Sequence, residues 1–147
     1  MELLELPFEP VSASVARRHV VHVLRLRGTE PAVCEDAALI VSELVGNALR
    51  HGRALADGRV RVGWQFARDG LRIEVTDGGG AGHPTRRDAH TLAPSGRGLE
   101  IVGALSERWG YDADGSGTTV WARLATPTAS SVGTLHVLDP EEYGQVG

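Results

Sequence analysis

Cys34 is the only cysteine in the 147 residues, which excludes an internal disulfide and any cysteine-built metal site. No apolar run approaches the ~18 residues of a membrane span. The opening stretch Met1-Glu2-Leu3-Leu4-Glu5 lacks a basic region ahead of an apolar one, so a cytoplasmic protein with no membrane partner is expected. Basic residues are outnumbered, 15 against 19 acids, and the net charge of −4 argues against a nucleic-acid surface. The chain contains no Gly-x-x-x-x-Gly-Lys-Ser/Thr, so a lysine-based phosphate cradle is absent. Internal repeats are also missing. What remains, at 41% hydrophobic content, is enough for one domain with a proper core.

The patterning is α+β. Residues 4 to 8 alternate as an edge strand, and residues 12 to 26 have a helical period with Val15, His19, Val20, Val23 and Leu26 near one face. Thr29-Glu30-Pro31 opens a second helix that Gly52 stops. Strands over 59 to 67 and 70 to 76 join at Arg68-Asp69. A third helix is expected over 99 to 108, with Leu99, Val102 and Leu105 inward, and a last strand over 118 to 124. Helices then collect on one face of an antiparallel sheet, and the other face meets solvent or a partner. Cys34 reads as a small buried residue of the second helix, and Trp109 and Trp121 as packing residues.

The most informative stretch is Glu43-Leu44-Val45-Gly46-Asn47-Ala48-Leu49-Arg50-His51-Gly52. On a helix, Glu43, Asn47 and His51 form an i, i+4, i+8 stripe beside an apolar face of Ile40, Val41, Leu44, Val45, Ala48 and Leu49. A carboxylate that orients a hydroxyl, one turn from a neutral carboxamide oxygen suited to a hard cation, is what Mg-nucleotide chemistry needs. The same spacing also occurs on ordinary solvated helices.

Three further elements follow in order. Ile73-Glu74-Val75-Thr76-Asp77-Gly78-Gly79-Gly80 is an alternating strand ending on an acid and glycines. Ser95-Gly96-Arg97-Gly98-Leu99 opens a helical run, and Gly115-Ser116-Gly117-Thr118-Thr119-Val120-Trp121 is a glycine turn feeding a strand. Bare glycines at 96 and 98 allow backbone amides and a helix start to approach phosphate oxygens.

Together these segments resemble the N, G1, G2 and G3 boxes of the histidine-kinase-like ATPases, over roughly residues 6 to 124. The resemblance is to the small bacterial anti-sigma-factor serine/threonine kinases and their actinobacterial relatives. It implies a two-layer sandwich with a mixed, mostly antiparallel sheet, and a domain over 1 to 124. It also implies ATP and Mg2+ as ligands, with Asn47 as the Mg ligand and Glu43 as the base toward a protein serine hydroxyl. Asp77 then accepts the adenine amino group, supported by Thr118, which selects ATP over GTP because guanine presents an acceptor there. His51, Gly79, Gly96, Arg97, Gly98 and Leu99 complete the implied nucleotide contacts, although Arg97 reads equally as an exposed loop arginine. The implied partners are a sigma factor and an anti-anti-sigma protein of the STAS type, with a possible homodimer through the open sheet face. The alternatives are a non-catalytic ATP-dependent binding module, or a simple ATPase in which Glu43 orients water.

Residues 80 to 95 have neither helical nor strand period, and the resemblance makes this stretch the ATP lid, where Arg86 and Arg87 meet phosphate, a partner or solvent. The family pattern Asp-x-Gly-x-Gly reads here as Asp77, Gly79 and Ala81, which implies a loop register shifted by one. Arg18-His19-Val20-Val21-His22 has no acid after His19 and no helical hairpin around it, so packing or surface roles are expected. Residues 125 to 147, starting with a Ser/Thr/Pro-rich linker, are expected to form a mostly disordered tail.

Overall fold

The computed structural model describes residues 1–68, 70–80 and 97–126, with the backbone alone at 97 and 98. The chain runs β1 (Glu2–Pro7), α1 (Val11–Leu26), α2 (Pro31–His51), β2 (Arg59–Ala67), β3 (Gly70–Asp77), α3 (Arg97–Leu105), β4 (Arg108–Asp114) and β5 (Gly117–Ala125). The five strands form one sheet in the order β1-β2-β3-β5-β4, and every described pairing is antiparallel.

Strand alternation sends one set of side chains toward the helices. Register aligns them in transverse rows: Leu4, Val62, Val75, Val120 and Tyr111 in one, Trp64, Ile73, Ala122 and Trp109 in the next, and Phe66, Leu71 and Leu124 at the far end. Helix α2 lies over these rows with Ala37, Ile40, Val41, Leu44, Val45 and Ala48 buried. Each large aliphatic side chain so buried contributes ~1.5–3 kcal/mol. Pro31 is tolerated in the first turn of α2, where its missing N–H would be unpaired in any case. Gly52 ends the helix, its N–H donating to the Ala48 carbonyl at 2.8 Å.

Two expectations are corrected by the structure. In α1 the buried stripe is Ser12, Ala16, Val20 and Leu24, whereas Leu26 is 74% exposed. His19 lies outside that stripe, its ring edge-on to Trp64 at 5.5 Å between centroids. The third helix ends at Leu105 and not at 108, and β4 follows it. The amide and hydroxyl of Ser106 both donate to the Val102 carbonyl, and the Glu107 amide donates to the Arg123 carbonyl at 2.8 Å, so sheet pairing begins where helix was expected. The alternation of Trp109, Tyr111 and Ala113 toward the helices is a strand period whose outward Gly110 and Asp112 have little intrinsic strand preference.

The face away from the helices carries polar cross-strand pairs. Thr76 and Thr119 share a hydroxyl hydrogen bond of 2.8 Å. The Arg72 guanidinium lies over the Trp121 ring at 4.7 Å, so Trp121 is covered on this face although it points away from the core. Among the described residues no helix is long and apolar enough to cross a membrane. The expected lid from Ala81 to Ser95, the register shift at Ala81, and the expected tail after Thr126 lie outside the described residues.

Candidate nucleotide site

The C-terminal half of α2 and the end of β3 build one corner. Helical geometry stacks Glu43, Asn47 and His51 on successive turns of α2. Glu43 and His51 are half-buried, while Asn47 is 5% exposed. Among the described residues the Oδ1 of Asn47 is a buried polar atom with no hydrogen-bond partner. Leaving such an oxygen unpaired costs ~1–3 kcal/mol, a penalty that a ligand cation or donor would remove. Burial and the neighbouring Arg50 guanidinium lower the His51 pKa, which favours neutral imidazole.

Asp77 occupies the last position of β3 on the helix side and is 6% exposed. The Gly79 amide donates to its Oδ1 at 2.6 Å. Burial, opposed in part by that N–H, raises its pKa to about 6. Thr118 is the cross-strand partner of Asp77 on β5 and is buried beside it. A carboxylate held by a backbone amide and flanked by a buried hydroxyl residue suits recognition of a donor on a planar base.

The chain after α2 runs against the chain after β3. The Gly78 amide donates to the Arg53 carbonyl at 2.7 Å. A side chain at Gly78 would meet the Ala54 carbonyl, and one at Gly80 the His51 carbonyl. At Gly52 a Cβ would overlap the Asp77 carboxylate, and at Gly117 it would overlap the Asp77 carbonyl. Gly79 adopts φ +92°, a conformation that favours glycine. In the sequence Gly52 reads only as a helix stop and Gly117 only as a turn. Their close approach to Asp77 carries no local sequence signal, because it depends on how α2 and β5 meet β3.

Leu99 is buried under the first turns of α3, and Arg97 and Gly98 begin that helix. Gly96 lies outside the described residues. The fold therefore brings His51, Gly79, Asp77 and Thr118 to one corner, with Asn47 one turn and Glu43 two turns back along α2. Among the described residues no cluster of three His, Cys, Asp or Glu side chains is positioned to hold a metal.

Comparison with known proteins identifies the family and the fold. The family model of the histidine kinase-like ATPase domain matches residues 6–124, and the chain belongs to that family. No curated protein matches. Among solved structures, the crystal structure of the RsbU and RsbW domains of Rv1364c from Mycobacterium tuberculosis aligns with a TM-score of 0.64 at 21% identity. The alignment covers 87% of this chain and 34% of that one, and at this identity it shows a shared fold. Family membership implies that the domain binds ATP.

Proposed function

We propose that the protein is an Mg-ATP-dependent regulatory kinase that phosphorylates a serine or threonine of a partner protein, in the manner of anti-sigma factors that phosphorylate an anti-anti-sigma protein of the STAS type and sequester a sigma factor. The observation that carries this reading is the orphaned, buried Oδ1 of Asn47, one turn from a half-buried carboxylate and on the helix whose end at Gly52 meets the acid at the end of β3. The RsbW domain named in the matching structure supports the anti-sigma assignment through its fold.

Asp77, backed by Thr118, would accept the adenine amino group. Gly79 and the start of α3 at Arg97, Gly98 and Leu99 would line the nucleotide, with helix-start amides toward phosphate. Asn47 would hold Mg2+, which supplies charge neutralisation on the phosphates. Glu43 would accept the proton of the partner's hydroxyl as its oxygen bonds to the γ-phosphorus and the bond to the β,γ-bridging oxygen breaks, leaving ADP. Such transfer rests mainly on positioning and electrostatics, so partner docking selects serine over water.

The test is capture of partners from extract on the immobilised full chain with Mg-ATP, followed by mass spectrometry and a single-turnover transfer assay with the recovered proteins. A phosphorylated small partner recovered with a sigma factor supports the reading. A stable partner set that is never phosphorylated replaces it with a non-catalytic ATP-dependent binding module, and phosphate release without any partner replaces it with a simple ATPase.

A further inference from the structure

A groove of about 590 Å³ opens between the C-terminal half of α1 and the N-terminal half of α2. Its floor is apolar, formed by Val21, Cys34 and Ala38. Its α1 wall carries Arg17, Arg18 and Arg25, and the one acid lining it is Glu35. Among the described residues none of these three arginines has an ion-pair partner. Ala38 precedes Asn47 by nine residues on α2, about 13 Å along the axis, so the groove is separate from the nucleotide corner.

An apolar floor beside unpaired guanidinium groups fits an extended acidic segment with apolar side chains, since arginine forks pair well with carboxylates. The chain itself contains one. Residues 134–143 read Thr-Leu-His-Val-Leu-Asp-Pro-Glu-Glu-Tyr. Residues 127–147 carry Asp139, Glu141 and Glu142 and no arginine or lysine, so three of the chain's four net negative charges fall there.

The exit of the chain from the sheet also matches. Ala125 pairs with Gly70, and the adjacent row runs Leu124, Leu71, Phe66 across the sheet. The Arg27 guanidinium lies 4.2 Å from the Phe66 ring centroid, which puts the end of α1 at this same edge of the molecule. Arg25 and Thr29 of the groove are two residues to either side of Arg27. The eight residues 126–133 span up to ~26 Å when extended, enough to cover the row and pass the α1–α2 turn.

We propose that the groove is the docking site of the chain's own segment 134–143, with Asp139, Glu141 and Glu142 against Arg17, Arg18 and Arg25, and Leu135, Val137 and Leu138 over the floor at Cys34. Docking of this segment is independent of phosphoryl transfer and stands or falls apart from it.

Hydrogen exchange of the full chain reads residues 134–143 directly. Their amides are expected to exchange at least about fivefold faster in the full-length D139N/E141Q/E142Q and R18E/R25E variants than in wild type, with wild-type exchange also accelerating in about 0.5 M NaCl. Combining R18E/R25E with D139R/E141R/E142R is expected to restore slow exchange. Thermal melts establish that the variants remain folded. Equal exchange in wild type and variants overturns the proposal. Exchange that slows as protein concentration rises also overturns it, because the segment then docks on a second copy.

Discussion

A Cβ on Gly52 would overlap the carboxylate of Asp77, so the end of α2 and the end of β3 meet with no room for a side chain between them. Gly52→Ala is therefore expected to cost about 1–3 kcal/mol of stability and to lower ATP affinity roughly tenfold by displacing that carboxylate. Gly58→Ala serves as the control. Gly58 also needs a positive φ, +79°, but faces open space, so its substitution costs about 1 kcal/mol of strain and leaves affinity unchanged. Denaturant unfolding together with nucleotide titration checks both.

Asp77 predicts two opposite pH dependences. Its pKa in the fold is about 6 against an ordinary 3.8, so between these values the folded chain binds more protons than the unfolded one. Its contribution to stability is then complete below 3.8 and lost as the pH rises through 6. Local relaxation around the ionised carboxylate reduces the effect to roughly 1–2 kcal/mol. Relative to Asp77→Asn, wild type should lose stability between pH 4 and 6 by about this amount. In its proposed role Asp77 accepts the adenine amino group as a carboxylate, so ATP affinity should rise over the same window in wild type and stay weak and flat in Asp77→Asn.

Asn47→Ala separates ligand binding from folding. The unpaired Oδ1 makes no hydrogen bond that the substitution would break. Stability is therefore expected to change by no more than about 1 kcal/mol, while the Mg2+-dependent part of ATP affinity falls roughly tenfold. Melting curves and titrations with and without Mg2+ provide the measurement. A large stability loss with unchanged Mg2+ dependence would count against the ligand role.

Glu43→Ala is expected to abolish transfer to a partner, by at least about 100-fold, as loss of a general base does. ATP binding should change little, because Glu43 lies a turn beyond the buried Asn47. Single-turnover transfer with equilibrium nucleotide titration checks this, and undiminished phosphorylation would remove Glu43 from its assigned role.

Patterns with strong local periods are legible in the sequence. The 3.6-residue stripe of α2, its start at Pro31, its stop at Gly52 and the hairpin of β2 and β3 are each dictated by near neighbours in the chain. The order of the segments that carry Glu43, Asn47, Asp77 and Thr118 is also legible, and it is what points to the family. The inward face of α1 is less legible, and periodicity wrongly assigns Leu26 to it, since a helix with apolar residues on several sides does not declare which side meets the sheet. Strand β4 escapes a local reading because its glycine and acids have weak strand preference, and its existence rests on pairing with β5.

By itself the sequence determined a one-cysteine α+β chain with an acidic balance, and it nominated Glu43, Asn47, Asp77 and Thr118 for a nucleotide site. Only the tertiary structure decided that Gly52 and Gly117 must stay bare beside Asp77, that Asn47 carries an orphaned buried oxygen, and that an arginine-lined groove lies along the opposite half of the same helix. Those properties arise between segments far apart in the chain, where distance and burial are set by packing and not by local preference.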